Sequence, residues 1–281
     1  MKLMSFRNKK GGSTYGVVDG DRVIDLGAAF RDLPDLKSFL GSNKFANREV
    51  PRGAPVYLLS EATYLPVIQH PGKIICVGLN YREHVQETGR TDSEYPALFL
   101  RTSVSQIAHK QALIKPKQSD QFDYEGELAL VIGKPGRHIA HQSALDHVAG
   151  YACYNDGSVR DWQRHTHQWT PGKNFDGTGG FGPWMVTPDE IGERSATFLV
   201  TRVNDLEVQR ASLAQMIFSI EDLITYISGF TQLEVGDVIV TGTPGGVGDR
   251  RNPKLYLKPG DRVTVEIDGI GLLENSVVAE A

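Results

Sequence analysis

Short apolar runs, punctuated by glycine and proline, dominate this chain and predict strands rather than helices. "KIICVGL" (73–79) and "ELALVIG" (127–133) are apolar on both faces, which is the pattern of strands buried on both sides. Three stretches predict hairpins: "TYGVVDGDRVIDL" around Asp19-Gly20, "RVNDLEVQ" around Asn204-Asp205, and "RVTVEIDGIGLLENSV" around Asp268-Gly269. "DLPDLKSFLGS" reads as a short amphipathic helix ending near Gly41. One longer helix follows Ser219, where Asp222 completes a capping box and Ile220, Leu223, Ile224 and Ile227 recur at helical spacing. The Pro-Gly pair in "IQHPGK" marks a boundary, so a small N-terminal domain (1–68) precedes a second domain (72–281). The fold class is mixed α/β, mainly β.

Composition narrows the possibilities. With 281 residues and 40% hydrophobic content, the chain can bury a substantial core. A net charge of -4 without a long basic run argues against nucleic acid as the main partner. The two cysteines, Cys76 and Cys153, lie in apolar strand-like runs and read as buried, reduced thiols. Neither a signal peptide nor a run of about 18 apolar residues is evident, so no membrane partner and a soluble, cytoplasmic protein are expected.

The candidate chemistry begins at "QFDYEGELALVIG" (121–133), where Asp123, Glu125 and Glu127 alternate with Phe122, Tyr124 and Gly126. On one strand these acids would share a face, about 6–7 Å apart. They could simply face water. Yet the strand runs straight into a buried segment, and a cation would relieve both repulsion and desolvation. In "VAGYACYNDGSVRDWQ" Asp156 falls at a strand end; alone it suits a helix N-cap, and with Glu125 and Glu127 it makes an all-oxygen set suited to Mg²⁺ or Mn²⁺. His165 and His167 lack further nearby ligands and make weak zinc candidates. In "GLNYREHVQETG", His84 and Glu87 would share a helix face, as a base with its orienting carboxylate or as a surface hydrogen bond; spacing alone favours the latter. "WTPGKNFDGTGG" puts Lys173 in what reads as a flexible glycine-rich loop, and "TGTPGGVGD" resembles an anion-binding loop without the lysine of a P-loop.

Six segments ("NYREH", "DYEGELALVIG", "AGYACYNDGSVRDWQ", "WTPGKNFD", "MIFS" and "VIVTGTPGGVG") occur in the order typical of the fumarylacetoacetate hydrolase family, which the chain resembles over about 72–279. The resemblance implies a β-sandwich roll, usually a homodimer, holding one Mg²⁺ or Mn²⁺ per subunit. It places the metal ligands on Glu125, Glu127 and Asp156, with Asp123 supporting them. It matches Lys173 to a lysine near the substrate, Arg160 and Gln163 to polar groups lining the pocket, and Thr243 to a threonine at the substrate's carboxylate. His84 and Glu87 match a dyad on a mobile lid. Two departures concern substrate identity: Arg101 in "FLRTSVSQI" stands where many members have "FLKP", and the glycines of "NFDGTGGFGP" suggest a more open loop beside Lys173.

The resulting expectation is a metal-dependent hydrolase cleaving a C–C bond in a 2,4-dioxo acid of the acylpyruvate type. Decarboxylation or isomerisation of a related 2-oxo acid, such as oxaloacetate or a hydroxy-dienedioate, is the alternative. A non-catalytic metal-binding protein ranks below both, because Lys173 and the dyad are present.

Overall fold

The computed structural model describes residues 1–89, 91 and 93–281. Its largest sheet has twelve strands, and its centre is the strand Gly126–Ile132, flanked by Val148–Asp156 and Val238–Val240. All seven residues of Gly126–Ile132 are buried, as a strand apolar on both faces requires. The alternation explains how. Leu128, Leu130 and Ile132 pack with Leu199, Val265 and Leu273 of a second, five-stranded sheet and with Leu223 and Ile227 of the helix Ile220–Phe230. Ala129 and Val131 face the other way, onto a core that includes Leu26, Leu36 and Phe39. Gly126 lets the two sheets approach closely: a Cβ there would lie 1.9 Å from the Thr201 hydroxyl oxygen.

The chain is mixed α/β and mainly β, as expected. The N-terminal stretch contributes Lys2–Arg7, Ser13–Asp19, Arg22–Asp25 and Val56–Leu58 to the same large sheet, joined where Leu3 pairs with Met185 of Gly179–Val186. The three hairpins form where the turn signals stand, with Asn204 and Asp205 both at positive φ (50° and 68°). The short helix Leu36–Leu40 is capped by Asp35 and stops at Gly41, and Ser219 and Asp222 make the capping box of Ile220–Phe230. Both cysteines are buried and free. Among the described residues no helix is long and apolar enough to cross a membrane.

Three local expectations are corrected. The acidic alternation does not lie on one strand: Phe122–Asp123 pairs with Ser158–Val159 in a separate small sheet, and the main strand starts only at Gly126. Lys173 is not in a flexible loop but ends the one-turn helix Thr170–Lys173 and is 2% exposed. Nor is the neighbouring glycine run open, because residues 177–183 are buried and Gly179–Val186 is a strand of the main sheet. Glycine there permits close packing: a Cβ on Gly180 would fall 2.6 Å from the Asn275 side-chain oxygen.

Candidate active site

Glu125, Glu127 and Asp156 converge because Gly126 pairs with Asn155 across two antiparallel strands, setting both strand ends side by side. One carboxylate oxygen from each lies within 4.8 Å of the others, and all three residues are buried. Asp156 is the last residue of its strand and does not cap the helix Arg160–Gln163, whose N-cap is Val159 without a side-chain bond. Asp123 points elsewhere. Its oxygens accept from the amides of Tyr124, Gly248 and Asp249 and from Arg160 Nε, at 2.8–2.9 Å.

Three buried cations answer these acids. Lys173 Nζ lies 2.5 Å from Glu125 and 2.6 Å from Asp156. Arg160 donates from Nε to Asp123 and from Nη1 to Gln163, and its Nη2 makes an ion pair with Glu125 at 2.7 Å. Arg101 Nη1 donates to Asp156 Oδ1 at 2.5 Å and to the Gly157 carbonyl, while Nη2 and Nε bond Thr178 and Ser105. Burial alone would raise the Glu125 pKa, but Arg160 and then Lys173 outweigh it and hold it below the usual range. Burial raises Glu127 well above that range, and the neighbouring Asp156 and Glu125 add to it; among the cations Lys173 opposes the rise. Burial opposes the charge on Lys173, yet Asp156 and Glu125 keep its pKa raised.

The glycine-rich loop does bind anions, and they are the protein's own. Gly242 N donates to Glu127 at 2.5 Å, Gly246 N to Glu87 at 2.8 Å, and Gly248 N to Asp123. Gly242 and Gly246 adopt φ of 104° and 103°, which side chains with a Cβ rarely reach. Glu87 Oε1 in turn lies 2.7 Å from His84 Nδ1, so Nε2 is the ring nitrogen left to act in the cavity that His84 lines. Both residues belong to the helix Arg82–Thr88. Asn80, just before it, accepts from Phe218 N at 2.7 Å and donates to the Thr241 carbonyl at 2.8 Å, which ties the three motifs together. The Thr243 hydroxyl donates to the Gly126 carbonyl and accepts from Gln209, whose own oxygen accepts from Gly126 N.

These groups line one cavity of about 360 Å³, which holds the triad, His84, Arg160, Gln163, Lys173 and Thr243. Glu87 does not line it and meets it only through its bond to His84, and Asp123 and His165 do not line it either. His167 lines the same cavity but does not join the carboxylate triad, and His165 packs on Trp162. Gln209 and the aromatic wall of Phe99 and Trp169 were not legible as site residues, for their partners lie far away in sequence.

The donor set fits a hard divalent cation. Lys173 Nζ already spans two of the carboxylates as a monovalent counter-charge, and Glu127, beside them, has a raised pKa and among the described residues accepts only from the Gly242 amide. Three buried carboxylates with an imidazole beside them define an acid–base site able to hold such an ion. The family described as fumarylacetoacetate (FAA) hydrolase, C-terminal, matches residues 73–278, and the chain belongs to it. The mitochondrial oxaloacetate tautomerase FAHD2A of Homo sapiens is 39% identical over 267 residues, covering 92% of this chain and 85% of that protein. The fumarylacetoacetate hydrolase of Exiguobacterium antarcticum superposes with a TM-score of 0.88 at 34% identity, covering both chains fully. Maleylpyruvate hydrolase of Sphingobium, solved with manganese(II) and pyruvate, gives 0.83 at 26%, again over the whole of both chains.

Proposed function

We propose that this chain is a divalent-metal-dependent tautomerase of a small 2-oxo acid, with oxaloacetate as the substrate. The observation that carries it is the Glu87–His84 pair, which leaves one imidazole nitrogen to act in the cavity that holds the carboxylate triad. Two features support tautomerisation: it needs one group to move a proton at carbon, and the human relative similar over nearly the whole chain is an oxaloacetate tautomerase. Glu125, Glu127 and Asp156 would hold Mg²⁺ or Mn²⁺, a Lewis acid that polarises a 2-oxo group and favours its enolate.

The chain's own residues do the rest. Glu87, fixed by the Gly246 amide, keeps the Nδ1–H of His84 in place and so leaves Nε2 to give and take the proton at carbon 3. In the enol-to-keto direction Nε2 takes the proton from the enol oxygen and delivers it to carbon 3, so the substrate's composition and the ring's protonation are both unchanged at the end. Lys173 and Arg160 offset the negative charge that the enolate carries between the two transfers. Phe99 and Trp169 wall the cavity and limit water. Thr243 shapes its floor, since its hydroxyl proton is taken by Gly126.

Acylpyruvate hydrolysis is the second reading. It is favoured by the same dyad, which could draw a proton from water, and by the maleylpyruvate hydrolase fold match. A homodimer and a cytoplasmic location belong to the proposal as well. The test is a side-by-side assay of one Mg²⁺-loaded preparation on enol-oxaloacetate and on acetylpyruvate, with products identified by NMR. Accelerated ketonisation without cleavage supports the tautomerase; cleavage of acetylpyruvate at the higher kcat/KM overturns it.

A further inference from the structure

Beyond the carboxylate triad, the cavity has a second charged end that no role above uses. Asp249 is 4% exposed, and several cations crowd it. Arg164 Nη2 bonds its Oδ2, Lys254 Nζ lies 3.1 Å from Oδ1, and Arg250 Nε approaches Oδ2 at 3.6 Å. Tyr256 also donates to Oδ1 at 2.6 Å. One carboxylate therefore faces three cations, and two of these, Arg164 and Arg250, line the cavity. Their side chains are 46% and 38% exposed, and among the described residues no second carboxylate pairs with either.

Charge around the cavity tells the same story. The lining cations are Arg160, Arg164, Lys173 and Arg250. The lining carboxylates are Glu125, Glu127, Asp156 and Asp249. Among the described residues these lining charges balance when every group is ionised, so a divalent cation leaves an excess of two positive charges on them. A singly charged 2-oxo acid would cancel half of that; a dianion cancels all of it. The two ends are also linked. Arg160 reaches Glu125 through Nη2 and Asp123 Oδ2 through Nε, and that same Asp123 oxygen accepts the Asp249 amide.

We propose that Arg164 and Arg250 form a subsite for the second carboxylate of a 2-oxo dicarboxylate, whose 2-oxo acid head sits at the Glu125–Glu127–Asp156 end. Asp249 holds the two guanidinium groups at the wall and leaves the N–H groups not turned to it for the incoming anion. This rests on the proposed function and specifies its substrate as a dicarboxylate rather than an acylpyruvate with an uncharged tail.

The experiment is a calorimetric titration of the full chain, loaded with Mn²⁺, using oxaloacetate and pyruvate. Pyruvate shares the 2-oxo acid head and lacks the second carboxylate. Wild type is expected to bind oxaloacetate more tightly than pyruvate. The double variant R164Q/R250Q is expected to lose about tenfold in oxaloacetate affinity, a modest figure for charge-assisted bonds because both side chains are partly exposed. Pyruvate affinity should change by less than about twofold, the loss in turnover should fall on KM rather than kcat, and R164K/R250K should recover part of the oxaloacetate binding. Equal losses for both probes, or none for either, would overturn the subsite. Wild type that binds oxaloacetate in this selective way without tautomerising it would sink the functional reading and leave the subsite standing.

Discussion

Replacing Lys173 by methionine removes the ammonium that lies between Glu125 and Asp156 while keeping most of the side-chain volume. Among the described residues, the buried cluster then holds the carboxylates of Asp123, Glu125, Glu127 and Asp156 against Arg101 and Arg160. With Glu127 protonated, as its raised pKa favours, wild type is balanced and the variant carries one uncompensated negative charge. Breaking a buried pair in this way costs about 3–5 kcal/mol. Proton uptake by another member of the cluster relieves part of it, so a loss near the lower end, about 3 kcal/mol, is expected without metal. A bound divalent cation supplies the missing charge. At a hundredfold excess over Kd, any such ligand adds about 2.7 kcal/mol to stability, and the variant should need a lower Mg²⁺ concentration to gain it. Urea unfolding with and without Mg²⁺ measures both quantities. The stability gap between Lys173→Met and wild type should narrow by at least about 1 kcal/mol when Mg²⁺ is added. An identical gap in both conditions would refute the view that the ammonium and the metal serve the same carboxylates.

Glu127→Ala should weaken Mg²⁺ binding while metal-free stability holds or rises, because Asp156 and Glu125 repel a charge there and burial disfavours it; calorimetry and unfolding curves check the two halves. Because Glu127 is raised in the folded chain, it binds a proton there that the unfolded chain has released above pH ~4.5, so its contribution to metal-free stability falls as pH rises through that window. Metal must displace this proton, so Mg²⁺ affinity should increase with pH, and calorimetry in buffers of different ionisation enthalpy should detect the release. Glu87→Gln should lower kcat less than His84→Ala does, since imidazole keeps its basic nitrogen and loses only its orienting partner; steady-state rates on the two variants check it.

The parts of this fold governed by near neighbours were legible. A run apolar on both faces placed the strand Gly126–Ile132, the pairs Asp19-Gly20, Asn204-Asp205 and Asp268-Gly269 placed the hairpins, and Ser219 with Asp222 placed the longest described helix. The metal-ligand set was reached through ordered motifs rather than periodicity. The acidic alternation did not reveal that the chain bends between Asp123 and Gly126, sending Asp123 to Arg160 and Gly248 instead of to its neighbours. Lys173 was misread for a related reason. Glycine and proline around it suggested a loose loop, but its burial depends on Glu125, 48 positions away, and Asp156, 17 away. The charged end at Asp249 was equally invisible, because Arg164 meets it across 85 positions.

On the proposed function, a metal held by the triad and a proton carried by His84 act together on a 2-oxo acid. The direct measurement follows the ultraviolet absorbance of enol-oxaloacetate in wild type, His84→Ala and Glu127→Ala, each with Mg²⁺ and each after EDTA. Wild type with Mg²⁺ should accelerate the decay, EDTA should abolish the acceleration reversibly, and Mg²⁺ or Mn²⁺ should restore it better than Zn²⁺. His84→Ala should lose about 10²–10⁴-fold while still binding Mg²⁺, and Glu127→Ala should lose activity together with metal affinity. Undiminished decay in His84→Ala, or full activity in EDTA, would contradict the account.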